Sequence, residues 1–486
     1  MILSPNLLNS PQSSGTTTKA PTPPAQRNQK FSKGVREKPI PKDFPRPPEA
    51  KKSMSTTPYR FIPTYSEDEL AARQLAGLQW TVSHAFANSP FYRERLKGAG
   101  IEPGDVKGLD DLLRLPPTTA EDLKDGYPLP LLAVPESEVV RIHGSSGTTG
   151  KRKILAYTQA DIDTWKDMFA RCYELAGLTT MDRVQIAVGY GLWTAGAGFQ
   201  LGCEHFGAMT LPVGPGLLEI QLQMLADLGS TVLCSTASMA LLMGEEVHKH
   251  GLADKVKLRK CIFGAEAHTP KMRRRFEESL GLEDSYDISG MTELYGPGAG
   301  LECAAHDGIH YWADVYIAEV LDPLTLEPVA PGEVGELVVT TLCKQASPLI
   351  RYRTRDLTRL LPGKCSCGCA MPRHDKILGR SDDMIIFRGV NIYPGQVASV
   401  LEHFPELSSE YQISLTRQDG LDHMAVKVER AETADAEGDA GLARAVSDEI
   451  RKHILVRTQV EVVHPGGLPR SFAKSRRVMD ERGKDG

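Results

Sequence analysis

Between residues 230 and 281 the chain switches twice from a short apolar run to a helical period. STVLCST (230–236) is followed by ASMALLMGEEVHKHG (237–251), and LRKCIFGAE (258–266) by TPKMRRRFEESLG (269–281). In the last stretch Thr269 suits an N-cap, Pro270 the first turn and Gly281 the C-terminal stop. Parallel strands need long crossovers, and helices of this length supply them. The alternation therefore predicts α/β architecture built on a mostly parallel sheet.

A chain of 486 residues exceeds what one core serves, so at least two domains are expected. A helix is predicted from Ser66, an N-cap followed by Glu67, Asp68 and Glu69. After residue 310, HYWADVYIAEVLD and GEVGELVVTTL predict a β-subdomain. From about residue 383 a small α+β unit follows. MIIFRGVNIYPGQVASVLEHFP reads as strand, turn and helix, HMAVKVERA and QVEVVHPG as strands, and AGLARAVSDEIRKHIL as a helix. Residues 1–60 are rich in Pro, Ser, Thr and Lys and are expected to be disordered. A start of translation at Met54 is an alternative, and a transit peptide fits the composition poorly. The expected division is 1–60, a large domain over 61–379 and a mobile domain over 380–486, with a hinge near 382.

The net charge of −5 argues against a nucleic-acid partner. No apolar run approaches the ~18 residues of a membrane span, and no signal-peptide core is visible, so a cytoplasmic protein is expected. Oligomeric state is left open, a homodimer included. Nine cysteines are too few for a disulfide scaffold in this length. Cys172, Cys203, Cys234 and Cys261 sit in apolar surroundings and read as core residues.

HGSSGTTGKRK (143–153) has the chemistry of a phosphate loop: glycines that let N–H groups converge, hydroxyl donors and a lysine. It is not a Walker loop. The glycine spacing is one residue too long, and Arg152 stands where the Mg-binding Ser or Thr belongs. The preceding EVVRIH can be a strand, which places the loop at a strand end. Taken alone, the loop is equally compatible with a plain flexible turn.

SSGTTGK resembles the phosphate loop of the acyl-adenylate-forming enzymes, and further segments resemble that family's set in order. They are DISGMTE (287–293), YRTRDLT (352–358), GRSDDMIIFRG (379–389) and LPRSFAKSRRV (468–478). LIRYRTRDLTRLLPG, GRSDDMIIFRGVNIYP and GMTELYGPGAGLEC make the likeness strongest to phenylacetate-CoA ligases. The resemblance implies activation of a carboxylic acid with ATP to acyl-AMP, then transfer to coenzyme A.

The same resemblance implies roles by position. Ser145, Ser146, Gly147, Thr148, Thr149, Gly150 and Lys151 would hold the β- and γ-phosphates. Thr292 would meet the α-phosphate and Glu293 Mg2+. Gly264, Ala265 and Glu266 would line the adenine, and Asp287 joins the nucleotide-binding set. Asp356 would accept from the ribose hydroxyls, with Arg380 near the ribose and α-phosphate. Lys474 would bridge the attacking carboxylate and the α-phosphate, and Asp382 would be the hinge. Ser289 stands where relatives carry an adenine-stacking Tyr, for which Tyr286 is a substitute to be tested, and Ala473 stands where Gly precedes the lysine.

Two further groups stand out. KCSCGCA and LECAAHDGIHYW offer a C-x-C knuckle with a remote Cys and His, a set suited to a structural tetrahedral Zn2+. Cys303, His310, Cys365 and Cys367 are the expected ligands, with Cys369 spare; reduced thiols or a redox pair are the alternative. VGYGLWTAGAGFQLGCEHFGA (188–208) mixes small residues with Tyr190, Trp193 and Phe199 and would seat a flat aromatic acid, unless these are ordinary core residues. Other acceptors, a carrier protein or a deazaflavin cofactor, and a non-catalytic nucleotide-binding regulator are competing readings.

Overall fold

The computed structural model describes residues 59–145, 151–216, 218–388, 390–418, 421–469 and 477–482. Ser146, Gly147, Thr148, Thr149, Gly150, Ala473 and Lys474 lie outside the described residues, as does all but the end of segment 1–60.

The helix Glu67–Asn88 starts where its capping signal lies. The Ser66 side chain accepts from the Glu69 N–H, and Glu69 returns the bond to the Ser66 backbone. Next, β1 (Arg141–Gly144) and β2 (Ile154–Tyr157) pair antiparallel. The phosphate-loop segment therefore joins two strands of a hairpin. The expected strand before the loop is β1, but it belongs to this hairpin and not to the parallel sheet, because the end of EVVRIH pairs with the residues that follow the loop.

The principal sheet begins with β3 (Arg183–Ile186), β4 (Met209–Leu211), β5 (Val232–Thr236), β6 (Lys260–Gly264) and β7 (Asp284–Met291), all parallel in the order β4-β3-β5-β6-β7. The helices Ala237–Lys249 and Pro270–Leu280 are the crossovers, and Thr269, Pro270 and left-handed Gly281 bound the second. The sheet continues antiparallel through β8 (Gly296–Glu302) and β9 (Ile309–Tyr311). Beside it, β10 (Tyr316–Leu321), β11 (Gly335–Thr341) and β12 (Tyr352–Thr358) form an antiparallel sheet, the expected β-subdomain. β13 (Leu360–Leu361) and β14 (Arg373–His374) extend the large sheet past β9, and β15 (Gly379–Arg380) pairs with β12.

Alternate residues of the parallel strands enter different cores, because successive side chains leave opposite faces. Val232, Cys234 and Ile262 join the cluster around Trp165, Phe169 and Tyr173 of the helix Gln159–Leu175. Leu233, Cys261 and Phe263 join Met243 and Phe276 of the crossover helices. Both faces are thus covered, as a parallel sheet requires. Cys172, Cys203, Cys234 and Cys261 are all buried.

The C-terminal part has a core of its own. It opens with the hairpin β16 (Ile385–Phe387) and β17 (Val390–Ile392) and the helix Pro394–Leu401. β18 (Leu407–Gln418), β19 (Leu421–Arg430), β20 (Gln459–Val463) and β21 (Val478–Asp480) form a mixed sheet. Val397, Val400, Val446 and Ile450 from this helix and the helix Asp439–Ile454 pack on Ile413, Leu415 and Val426. Lys271 of the larger part reaches across: its Nζ donates to the carbonyls of Phe404 at 2.9 Å and Pro405 at 3.4 Å, and to that of Leu407.

Candidate active site

Glu293 is the best-held carboxylate of the predicted set. It follows β7, is only 3% exposed, and pairs with the Lys153 ammonium. The Tyr352 hydroxyl donates to it at 2.8 Å, and the buried Lys344 Nζ donates to its backbone carbonyl at 2.6 Å. Burial opposes ionisation, but Lys153 and Tyr352 outweigh it and hold the carboxyl below its ordinary range. An ionised carboxylate fits a hard divalent cation. The Tyr157 hydroxyl donates to the Thr292 carbonyl at 3.0 Å, which fixes the residue before it.

Lys344 was not singled out from sequence. It lies 4.8 Å from the ring centroids of both Tyr157 and Tyr295. Burial lowers it to about 8, against the pull of Asp161 and Glu293. A lysine in a β-rich stretch carries no signal of such a cage, because its aromatic walls come from distant segments.

The loop bases are also informative. Ser145 N–H donates to the Lys153 carbonyl at 3.0 Å, closing the hairpin. Lys151, expected at phosphate, is exposed with its ammonium 5.5 Å from the Tyr127 ring centroid. Lys153 is the loop lysine that reaches Glu293. His143 donates through Nδ1 to the Leu192 carbonyl at 3.1 Å, which leaves Nε2 as an acceptor. His143 Nε2, Ser145 Oγ and the Tyr190 hydroxyl are buried with no hydrogen-bond partner among the described residues. Such atoms are what a polar ligand group would satisfy.

At the end of β6, Gly264 packs so closely that a Cβ would stand 2.5 Å from the Ile288 carbonyl oxygen. Ala265 then takes a left-handed φ of 70°, and the Glu266 carboxylate accepts from the Ser238 N–H at 2.6 Å. A strained alanine at a strand end is the kind of backbone found at ligand sites. Asp287 is pushed up to about 7 by burial and Glu302, with Arg273 and Lys376 opposing. Tyr286 is buried, with the Lys260 ammonium 5.6 Å from its ring centroid.

Asp356 and Arg380 are register partners on β12 and β15, and Arg380 Nη1 donates to Asp356 Oδ1 at 2.9 Å. Arg380 also holds the Asp382 carboxylate. β12 therefore carries both the Tyr352 that binds Glu293 and the Asp356 that binds Arg380.

The aromatic segment packs partly on itself. A Cβ on Gly189 would meet the Trp193 ring at 2.5 Å, and one on Gly196 the Tyr190 ring at 2.5 Å. Trp193 is partly exposed. Phe199, expected at the pocket, is 2% exposed and lies edge-on to Phe169, at 5.0 Å, in the main core. Helical period turns it toward the helix Gln159–Leu175.

The Cys303, His310, Cys365 and Cys367 ligand atoms all lie within 4.8 Å of one another. Cys303 Sγ is 3.5 Å from Cys365 Sγ, and Cys367 Sγ is 3.3 Å from His310 Nε2. A tetrahedral Zn2+ with Zn–S of about 2.3 Å has S–S edges of about 3.8 Å, so the set fits that ion. His310 Nδ1 donates to the Met371 carbonyl at 2.7 Å, leaving Nε2 to face the thiols. Cys369 stands outside the four, its N–H directed at Cys367 Sγ.

The sequence matches the family model of AMP-binding enzymes over residues 95–343 and that of the AMP-binding enzyme C-terminal domain over 389–482. It is 43% identical to the phenylacetate-coenzyme A ligase of Escherichia coli (strain K12), over 87% of this chain and 97% of that protein. The fold is similar to 2-hydroxyisobutyryl-CoA ligase in its postadenylation state with R3-HIB-AMP, with a TM-score of 0.79 and 28% identity over 87% of this chain and 92% of that one. Against the same enzyme with 2-HIB-AMP and CoA in its thioesterification state the TM-score is 0.64, at 29% identity and the same two coverages. Among the described residues no helix is long and apolar enough to cross a membrane.

Proposed function

This chain belongs to the AMP-binding enzymes and, within them, to the phenylacetate-coenzyme A ligases, and from that premise we propose which acid it takes and which residues serve it. The chain is an acid–thiol ligase. It uses ATP to activate a carboxylic acid to acyl-AMP and then forms the coenzyme A thioester. The acid we assign is phenylacetate-like. Tyr190 and Trp193 would offer flat apolar walls, and the unpartnered Tyr190 hydroxyl a polar contact at the edge.

The observation that carries the residue assignments is the double use of β12. Through Tyr352 it anchors Glu293, and through Asp356 it anchors Arg380. Asp356 would take the ribose hydroxyls, since an anion accepts them better than an amide. Attack of an anionic acid on the α-phosphate brings like charges together, so positioning and neutralisation dominate the barrier. Lys153, Arg380 and Thr292 supply positive charge and donors from described residues, and Lys474 is assigned the bridge between acid and α-phosphate. Mg2+, when bound at Glu293, would neutralise phosphate charge. Zn2+ at Cys303, His310, Cys365 and Cys367 would pin segment 365–369 to β9 and have no part in the chemistry.

The part beyond residue 380 is assigned as the mobile domain, with Asp382 as hinge. Its separate core supports this. The higher likeness to the relative's postadenylation state supports reading the present arrangement as the adenylation side of the cycle, with Lys271 as a fastening specific to it.

Acid-dependent pyrophosphate release with phenylacetate, benzoate and a medium-chain acid tests the reading. Phenylacetate should give the highest kcat/KM, with AMP and thioester formed only when coenzyme A is present. Preference for the medium-chain acid would overturn the substrate assignment.

A further inference from the structure

Two helices of the C-terminal part bring His403, Glu449 and His453 together. His453 Nε2 lies 2.8 Å from Glu449 Oε1, and His403 Nδ1 lies 3.7 Å from the same oxygen. All three ligand atoms are within 4.8 Å of one another. Glu449 and His453 are four apart on the helix Asp439–Ile454, so they share a face. His403 follows the helix Pro394–Leu401, and its ring is 5.8 Å from that of His453. Val397, Val400 and Leu401 pack in one core with Val446, Ile450 and Ile454, so the backbones that carry the three ligands are fixed before any ion arrives.

We propose that His403, Glu449 and His453 form a binding site for a divalent transition-metal ion of the Zn2+ or Ni2+ class. Two imidazole nitrogens and one carboxylate suit such ions, whereas Mg2+ and Ca2+ favour all-oxygen sets. Metal–nitrogen bonds of about 2.0–2.1 Å put ligand atoms about 3.3 Å apart in a tetrahedron. Two of the separations, 2.8 and 3.7 Å, bracket that value, all three atoms lie within 4.8 Å of one another, and both imidazoles are solvent-accessible and can turn the remaining distance. Solvent would complete the coordination. Lys452 Nζ, now 3.3 Å from Glu449 Oε1, is the cation the ion displaces. The ion would cross-link the end of one helix to the other, next to Phe404, whose carbonyl receives Lys271.

The test is Ni2+ equilibrium dialysis and thermal denaturation on the full-length chain holding one equivalent of Zn2+, the amount assigned to the cysteine site. One Ni2+ per chain should bind and raise Tm. His403→Ala, His453→Ala and Glu449→Gln should each weaken binding about tenfold or more. Lys452→Ala should tighten it, and His464→Ala, at an exposed histidine elsewhere, should leave it unchanged. Ligase activity without Ni2+ should be unaltered in every variant, which separates a lost ligand from a damaged fold. Binding that survives all three ligand substitutions, or that falls equally with His464→Ala, overturns the proposal.

Discussion

Arg380 grips Asp382 with two parallel hydrogen bonds, Nε to Oδ1 at 2.9 Å and Nη2 to Oδ2 at 3.0 Å, while its Nη1 goes to Asp356. One guanidinium thus joins the assigned ribose acceptor to the assigned hinge. A bond to a charged partner is worth about 1.5–3 kcal/mol. Asp356→Asn should therefore raise the KM for ATP about tenfold or more. The KM for the acid should hold. Steady-state kinetics with each substrate varied will check this, and an unchanged ATP KM would remove Asp356 from the ribose.

Lys153→Met should leave the Glu293 carboxylate buried without its ammonium. Breaking one side of a buried pair typically removes about 3–5 kcal/mol, less where one partner keeps some solvent, as Lys153 does. The pH dependence has a definite sign. The folded pKa of Glu293 lies below its unfolded value, so its contribution is present above the unfolded pKa and disappears as pH falls through the folded one. The stability gap between wild type and variant should be full at pH 7 and close in the acid range below the ordinary glutamate pKa. Denaturant titrations at several pH values measure it.

Lys271→Ala should separate the two half-reactions. Its ammonium binds backbone carbonyls of the C-terminal part that side-chain changes there would not remove. If this contact belongs to the adenylation arrangement, pyrophosphate release should slow several-fold, while thioester formation from supplied acyl-AMP is spared. Equal slowing of both steps would count against a role in the cycle. Lys271→Arg should restore part of the loss.

Zinc should be found at one equivalent per chain by elemental analysis. Cys367→Ser should lose it and lower Tm, since the energy of a structural ion is folding energy. Full stability after chelation that removes all zinc would show that no structural ion is held by Cys303, His310, Cys365 and Cys367.

Much of the fold was legible because it rests on local signals. The caps at Ser66 and Thr269 and the stop at Gly281 are where the residues place them. The alternation from 230 to 281 became parallel strands with crossover helices. β18 gave a shorter signal than its length, since the alternation of LSSEYQISLTRQ is apolar only at Tyr411, Ile413 and Leu415 besides Leu407. The hairpin nature of β1 and β2 was missed because pairing across a loop leaves no mark on either strand alone.

The sequence by itself determined the alternation of strand and helix from 230 to 281 and the helix ends at Ser66, Thr269 and Gly281, because each depends on neighbours within a few positions. Only the tertiary structure decided which lysine of the loop meets Glu293, that Lys344 is caged by Tyr157 and Tyr295, and that Phe199 turns into the core. Those outcomes depend on where segments remote in sequence, such as those carrying Lys153 and Glu293, are set side by side. Burial and charge compensation act through space between them, and no periodicity along the chain encodes that distance.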